Sequence, residues 1–260
     1  MKCEKIQGGT VKKTRGCLLV HGYGGSSFEM EPLELALAHA GFVVRNTTLP
    51  GHGEGFADFA TQRFSDWVEH VDREFTELAA TCAETSVVGF SLGGTLALNI
   101  AARYPVSRLV CLATPMHVLA LWPWPLVHLA LCARSAAKLI CKRMGRPVPD
   151  KSASRAIAPW KGYSGPLHIP QLASFRAGCR ATRSMLPRVT APLLLMHDKR
   201  DRLVRVGDTW HIARHVQSPS VTIRLTSMRE NVTKHHMLTT HEETRDFVAA
   251  EVVAFLADNQ

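Results

Sequence analysis

The sequence feature that most constrains the fold is the motif Gly-Phe-Ser-Leu-Gly-Gly at residues 89–94. It follows the apolar stretch 85–88 and precedes a run with helical character, 95–103. A G-x-S-x-G sequence between a strand and a helix is typical of a nucleophile elbow, a sharp turn that exposes the serine hydroxyl at its apex. The two glycines of the pattern answer a steric need, because the positions two before and two after the serine crowd each other there. The motif therefore predicts a strand–turn–helix unit with Ser91 at its tip.

Strand-like and helix-like segments alternate along most of the chain. Buried strands are predicted at 17–21, 42–48, 85–88, 107–113, 193–197 and 221–226. Helices are predicted at 28–40, 65–80 with Ser65 as N-cap, 95–103, 209–215 and 240–256. Alternation of this kind, with continuously apolar strands, predicts a mostly parallel sheet flanked by helices, which is an α/β fold. A chain of 260 residues can bury one large core of this type.

The alternation breaks between residues 115 and 190. Apolar residues dominate 116–132, and prolines interrupt the remainder of the segment. Two prolines and two histidines within the apolar run argue against a membrane span. We expect residues 115–190 to form an inserted cap, and residues 1–114 together with 191–260 to form the α/β core.

The positive charge of the chain is concentrated in this predicted cap. The whole chain carries a net charge of +9, whereas residues 115–190 contain twelve Lys and Arg and one acid, which leaves −2 for the remainder. A basic surface of this kind attracts anionic lipid or anionic substrates, so peripheral contact with an anionic membrane is one predicted role. The alternative is a solvated face that keeps the protein in solution. Nucleic acid is not an expected partner, because no helix-turn-helix, RNP-like or zinc-finger pattern accompanies the charge.

The cysteine pattern favours a reducing compartment. The seven cysteines are odd in number and irregularly spaced, and basic residues interrupt the N-terminus before any apolar signal core. This combination predicts free thiols and a cytoplasmic location. No pair of cysteines has C-x-x-C spacing, so a metal site is not predicted.

Three aspartates compete for the acid that a serine nucleophile needs. A serine hydroxyl reacts only when an imidazole takes its proton and an acid orients that imidazole. In folds with a nucleophile elbow, the acid and the histidine follow the serine along the chain, each after a later strand. Asp198, Asp201 and Asp208 follow strand 193–197. Asp201 is preferred because it lies in the loop, whereas Asp198 stands nearly on the strand end.

Three histidines precede the last predicted helix. The pair 239–240, both threonines, with glutamates at 242 and 243 forms a capping box that starts this helix near Thr240. His241 then lies in the first helical turn, as a solvated residue. Of the adjacent pair His236 is preferred, with apolar residues behind it, and His235 stays open as the alternative.

Two backbone N–H groups are predicted to stabilise an oxyanion. The tetrahedral intermediate of acyl transfer needs donors where its negative charge develops. Leu92, directly after the serine, supplies one predicted donor, and Tyr23, in the loop after the first strand, supplies the other. The flanking Gly22 lets this backbone approach a bound substrate closely. The loop lacks G-x-G-x-x-G and a P-loop lysine, so no nucleotide cofactor is predicted.

These residues give the chain a resemblance to a known family. The segments that carry it are HGYG at 21–24, LPGHG at 49–53, GFSLGG at 89–94, ATPM at 113–116 and HDKRDRLV at 197–204. Together they resemble bacterial carboxylesterases and monoacylglycerol lipases of the α/β-hydrolase superfamily. The resemblance implies an α/β-hydrolase fold, a triad of Ser91, Asp201 and His236, and an oxyanion hole at Tyr23 and Leu92.

The chain departs from this family at two positions and in one loop. Asp198 and His235 stand where relatives usually have glycine, and the loop 227–234 is longer than usual. Both departures lie beside the predicted acid and the predicted histidine.

The residues and the resemblance together predict hydrolysis of a carboxylic ester through an acyl-enzyme, without cofactor or metal. The expected substrate is a small-molecule ester of short to medium chain, or one resembling a monoacylglycerol. Trp122 and Trp124, in the apolar part of the cap, are predicted to line a channel for an acyl chain. The alternatives are thioester hydrolysis or acyl transfer on the same triad. A protein of another class, catalytically silent and binding a ligand, a partner or a membrane, also stays open.

Overall fold

The computed structural model of the protein describes residues 14–53, 56–118, 152–162 and 169–258. Within these residues, six strands form one sheet. They are β1 (Arg15–Val20), β2 (Val43–Thr47), β3 (Glu84–Phe90), β4 (Leu109–Leu112), β5 (Leu193–Asp198) and β6 (Val221–Thr226). The strand order is β2-β1-β3-β4-β5-β6, and every neighbouring pair is parallel. The predicted parallel sheet is confirmed, with strand ends within two residues of those expected.

Eight α-helices connect and cover the strands in the described residues. They are α1 (Glu31–His39), α2 (Phe56–Thr61), α3 (Phe64–Ala79), α4 (Leu92–Ala101), α5 (Ser152–Ile157), α6 (Ile169–Met185), α7 (Val206–His215) and α8 (Arg245–Ala257). Helices α1 and α8 pack together on one face of the sheet, while α3, α4 and α6 pack together on the other. The sheet is therefore enclosed between two helical layers.

Alternate residues of each strand supply the two layers of the core. In β1, Leu18 and Val20 face α3 and α4, while Cys17 and Leu19 face α1 and α8. All four side chains are fully buried. Because successive residues of a strand point to opposite faces, a strand covered on both faces must be apolar throughout. This explains the continuous apolar runs of the sequence.

Two predicted helix starts are wrong. The helix α3 begins at Phe64 with Arg63 as its N-cap residue, rather than with Ser65. The backbone N–H of Arg63 donates a hydrogen bond of 2.7 Å to the carboxylate of Asp66, so the acid at N3 satisfies the N-terminal donor.

The last helix, α8, begins at Arg245 instead of near Thr240. The carboxylate of Glu243 accepts hydrogen bonds from the backbone N–H groups of Arg229 (2.9 Å) and Glu230 (3.2 Å), so it binds the preceding loop and does not cap a helix. His241 is buried rather than solvated, and its Nε2 lies 3.3 Å from the carboxylate of Glu230 in the same loop.

The helices α5 and α6 lie in the segment between β4 and β5 that was predicted to form a cap. α6 packs against α3 and α4 of the core. Trp122 and Trp124 lie outside the described residues, and the boundary of the cap at 115–190 stays a prediction. Within the part of the chain that the structure describes, no helix combines the length and the apolar character needed to cross a bilayer.

Candidate active site

Ser91 stands between β3 and α4 in a strained backbone conformation. Its φ is 54°, in the left-handed region that non-glycine residues seldom adopt. A Cβ atom on Gly89 would lie 2.2 Å from the carbonyl oxygen of Gly93, and one on Gly93 would lie 2.0 Å from that of Val20. Both positions therefore exclude a side chain. The elbow presents the Ser91 hydroxyl to a cavity, as the motif predicted.

A chain of hydrogen bonds joins the serine to an imidazole and a carboxylate. Nε2 of His236 lies 3.0 Å from Oγ of Ser91, and Nδ1 of His236 lies 2.7 Å from Oδ2 of Asp201. When Nδ1–H donates to the carboxylate, Nε2 is left with a lone pair that accepts the hydroxyl proton. The structure thus brings together the three residues that the sequence analysis selected.

The carboxylate of Asp201 is buried and held from several sides. Oδ1 accepts hydrogen bonds from the backbone N–H groups of Leu203 (2.7 Å) and Val204 (2.9 Å), and Nε2 of His197 lies 3.4 Å from Oδ2. Burial acts to raise the pKa of Asp201. The nearby His236 and these hydrogen bonds outweigh burial and hold that pKa below its usual range. The acid stays ionised and its orientation is fixed.

The other two candidate acids make different contacts. Asp198 accepts hydrogen bonds from the backbone of Arg200 and Met228 and from the Thr226 hydroxyl, each 2.8 Å long. Asp208 accepts hydrogen bonds from the backbone N–H groups of Met116 and His117, in the segment that follows β4. Both carboxylates brace loops, and in this structure neither is hydrogen-bonded to His236.

The alternative histidines lie in a buried cluster around Glu230. Nε2 of His235 is 2.6 Å from the carbonyl oxygen of Glu230, and Nε2 of His241 is 3.3 Å from its carboxylate. His235 is buried, has a φ of 56° and is not among the residues that line the cavity. Burial acts to raise the pKa of Glu230, but hydrogen bonds from Thr233 and Val232 lower it to about 2.

The predicted oxyanion donors lie on two sides of the serine. Leu92 is the first residue of α4, so its N–H has no acceptor within the helix and lies at the positive end of the helix dipole. Tyr23 follows β1, and its ring stacks on Phe175 of α6 at a centroid distance of 5.8 Å. The role of these two N–H groups stays a prediction.

A buried imidazole fixes the loop that contains Tyr23. Nδ1 of His21 lies 2.9 Å from the carbonyl oxygen of Gly22, while Nε2 lies 3.0 Å from the backbone nitrogen of Leu49. Leu49 can only donate, so Nε2 accepts and Nδ1 carries the proton. Burial lowers the pKa of His21 to about 3, which keeps the ring neutral. This ring therefore joins the first loop to the LPGHG segment.

A cavity of about 400 Å³ opens beside the serine. Its walls include Gly22, Tyr23, Ser91 and His236, together with Glu29 and Trp160, which were not predicted from the sequence. Trp122 and Trp124 lie outside the described residues, so the predicted acyl channel stays a prediction. In the described ranges, no three His, Cys, Asp or Glu side chains are grouped so that they could hold a metal ion.

Three curated relatives match short parts of the chain. A thermostable monoacylglycerol lipase from a Bacillus species is 41% identical over 90 residues, which are 35% of this chain and 36% of the relative. A carboxylesterase from Bacillus subtilis is 26% identical over 105 residues, or 40% and 43% of the two chains. A pimeloyl-[acyl-carrier protein] methyl ester esterase from Aromatoleum aromaticum is 35% identical over 118 residues, or 42% and 44%. The matches therefore span less than half of each relative.

Solved structures match over nearly the whole chain. One, from work on the metagenome-derived lipolytic enzymes LipS and LipT, has a TM-score of 0.75 at 21% identity and covers 94% of both chains. The monoacylglycerol lipase of Paleococcus ferrophilus has a TM-score of 0.68 at 18% identity and covers 93% of both. At these identities the likeness establishes the fold alone, and the predicted α/β-hydrolase fold is confirmed.

A family model matches most of the sequence. It is the Hydrolase_4 model, Serine aminopeptidase, S33, and it covers residues 12–229. The match includes β1 to β6, the elbow and Asp201. It ends before His236, so the position of the histidine rests on the coordinates. Because the match extends over well more than half of the chain, the protein belongs to the Hydrolase_4 family of α/β-hydrolases.

Proposed function

We propose that this protein is a serine hydrolase that cleaves carboxylic esters through an acyl-enzyme. The observation that carries the proposal is the hydrogen-bonded line from Asp201 through His236 to Ser91 at the wall of the cavity. A serine beside an imidazole that an acid orients has the arrangement that activates a hydroxyl for attack on a carbonyl carbon. An intact line of this kind speaks against a catalytically silent protein.

In the proposed reaction, Oγ of Ser91 attacks the ester carbonyl while Nε2 of His236 takes its proton. The carbonyl oxygen becomes an oxyanion, which the N–H groups of Tyr23 and Leu92 stabilise. His236 then protonates the leaving alcohol, and the acyl group stays on Ser91. A water molecule that loses its proton to His236 attacks this acyl-enzyme, and release of the acid restores the serine. Asp201 orients the imidazole and stabilises its charged form throughout.

The proposed substrate is a small-molecule ester with an apolar acyl chain. The cavity is lined in part by Phe90, Leu203, Val232 and Met237, which suit such a chain. The curated relatives carry the names of ester-cleaving enzymes, a monoacylglycerol lipase among them, whereas the family model carries the name of an aminopeptidase. Ester cleavage is therefore the first choice, and thioester cleavage or acyl transfer would use the same groups.

The test compares p-nitrophenyl esters from acetate to palmitate with amino-acid p-nitroanilides. We expect turnover of the esters, and a fall of at least ~1,000-fold in kcat for Ser91→Ala because the nucleophile is gone. Ser65→Ala, at an exposed position of α3, is the matched control and should keep full activity. Retained turnover in Ser91→Ala would reject the assignment, and a preference for the anilides would reject ester specificity.

We also propose that the basic segment 115–190 contacts anionic membranes and that the protein works in the cytoplasm. The charge of +11 in this segment supports the first proposal, and the cysteines at 17, 82, 111 and 179, which are free thiols, fit the second. Co-sedimentation with phosphatidylserine vesicles should fall steeply as salt rises, because ions screen the attraction. Binding that does not respond to salt would contradict the electrostatic contact.

A further inference from the structure

Glu29 is a buried carboxyl group in the wall of the cavity. Only 2% of the residue is exposed. It lies between β1 and α1, seven residues after Gly22. In the described residues, no lysine or arginine lies within ion-pair distance of it. Buried acids without a cationic partner are rare, because removing the charge from water is costly. Packing alone therefore does not explain why a carboxyl group is buried at this position.

Each carboxylate oxygen of Glu29 accepts one hydrogen bond. The backbone N–H of Gly22 donates to Oε2 at 2.9 Å, and the indole N–H of Trp160 donates to Oε1 at 2.8 Å. Gly22 directly precedes Tyr23, whose N–H is the proposed oxyanion donor. Trp160 belongs to the segment 158–162 that follows α5. The carboxylate thus joins two segments that are more than 130 residues apart in the chain.

The two segments fit closely because glycines leave room for the contact. A Cβ atom on Gly25 would lie 2.3 Å from Oε2 of Glu29, and one on Gly162 would lie 2.4 Å from the carbonyl oxygen of Gly24. The hydroxyl of Ser26 also donates a hydrogen bond to the carbonyl oxygen of Lys161. Segment 158–162 is therefore docked on the loop 22–29 at several points, with Glu29 at the end that faces the cavity.

We propose that Glu29 is a positioning residue, whose ionised carboxylate holds the Gly22–Tyr23 backbone in place for oxyanion stabilisation and ties it to Trp160. The proposal rests on the proposed function. An oxyanion donor works only when it is held about 2.7–3.1 Å from the developing charge, and loss of one donor costs about 10²–10³ in kcat. Loosening one donor without deleting it should cost less than that.

The ionised form of Glu29 is the form that can hold both segments. A carboxylate offers two full acceptors, whereas a protonated carboxyl keeps one good acceptor and gains a donor that faces another donor. Burial raises the pKa of Glu29 to about 7, against smaller opposing effects of the two hydrogen bonds and of His236. His236 is the titratable group that acts on it, and Arg155 and Lys234 also line the cavity.

The experiment compares Glu29→Gln with Glu31→Gln, an exposed position two residues away, on p-nitrophenyl butyrate between about pH 5.5 and 9. We expect Glu29→Gln to lower kcat about 10- to 100-fold at high pH with KM within about threefold, because the amide cannot accept from both donors. The ratio of wild-type to variant kcat should shrink toward about pH 5.5, where Glu29 itself is protonated. Glu31→Gln, which leaves Glu29 in place, should match the wild-type kcat at every pH.

A ratio that stays constant with pH would reduce Glu29 to a packing role, and an effect on KM alone would make it a substrate contact; either result overturns the proposal. Trp160→Phe, which keeps an aromatic ring but removes the N–H donor, gives a second and milder variant. We expect its kcat loss to be less than additive with that of Glu29→Gln, and full additivity would contradict the joint contact. The Ser91→Ala result judges the proposed function separately, since it does not involve Glu29.

Discussion

Asp198 and Asp201 are three residues apart, yet their carboxylates have different partners. Asp201 contacts His236 and the turn that follows Asp201. Asp198 instead accepts hydrogen bonds from backbone N–H groups in the loops after β5 and β6. Their positions in the loop separate them, and this difference can be predicted from the sequence. The buried pair of Asp198 and His235, with Oδ1 and Nδ1 3.8 Å apart, replaces the two glycines expected from the resemblance.

Removal of the charge should affect activity at one aspartate and stability at the other. Asp201→Asn should lower kcat about 10³- to 10⁴-fold, because the amide favours the wrong tautomer of His236. Asp198→Asn should keep kcat within about tenfold but lower the free energy of unfolding by about 1–3 kcal/mol, since its amide would face a backbone donor. Steady-state kinetics and urea unfolding of both variants check this. A larger loss of kcat in Asp198→Asn would mean that the acid is misassigned.

Glu29 shows what a linear pattern cannot reveal at the residue scale. In the sequence it reads as an ordinary acid near the start of a helix, where the macrodipole favours negative charge. Its partner Trp160 lies 131 residues further along the chain, and only the folded arrangement brings the two together. No local spacing encodes that contact, so neither residue was predicted.

At the scale of elements, the elbow unit of β3 and α4 was the most predictable part of the fold. Its glycines leave no freedom, because a side chain at 89 or 93 would collide with backbone atoms. The starts of α3 and α8 were predicted wrongly for a different reason. Asp66 and Glu243 both bind backbone N–H groups, but Glu243 binds those of a distant loop. A capping pattern in the sequence shows that an acid can accept a hydrogen bond from a backbone N–H group. It does not identify which N–H group that will be.

The elbow predicts a sharp contrast between two glycine substitutions. Gly93→Ala should lower the free energy of unfolding by more than about 2 kcal/mol, because its Cβ atom would lie 2.0 Å from the backbone oxygen of Val20. Gly207→Ala, in α7, meets no atom within 4 Å and should raise stability by up to about 1 kcal/mol. Urea denaturation of the two variants measures both changes. Equal effects would mean that the elbow can relax to admit a methyl group.

At the scale of the whole molecule, the parallel sheet explains how distant residues meet. The loops after β1, β3, β5 and β6 leave the sheet at the same edge, and they carry Tyr23, Ser91, Asp201 and His236. Chain order and strand alternation were enough to predict this convergence. The cap was predicted only as a segment, 115–190. Its individual elements were not predictable, because α5 and the segment 158–162 belong to no alternating pattern.

The buried Glu29 should leave a mark on the pH dependence of stability. Its folded-state pKa of about 7 exceeds the ordinary value of 4.5, so the folded state binds this proton more tightly. The stability that it contributes is therefore complete below about pH 4.5 and is lost as the pH rises through about 7, by about 3 kcal/mol. Glu29→Gln cannot ionise and should escape this decline.

The measurement is the free energy of unfolding of both proteins from about pH 4 to 8, by urea titration. The difference between variant and wild type should rise by about 3 kcal/mol across this range. Asp201 and Glu230, whose pKa values are lowered, act with the opposite sign in acid, but they act equally on both proteins. A difference that does not change with pH would contradict the buried, ionising carboxyl.

The proposed proton acceptor, His236, follows β6, which is a border strand of the sheet. In the residues that the structure describes, β6 pairs with β5 alone and none of its six residues is fully buried, whereas β3 lies between β1 and β4. Border strands open with smaller free energies than central ones, as native-state hydrogen exchange records. A brief detachment of β6 would move His236, in the loop that follows it, away from Ser91, while β3 and α4 stay in place. We therefore expect enzymatic activity to be lost on warming at a temperature several degrees below that at which the circular dichroism signal falls. The activity should return on cooling.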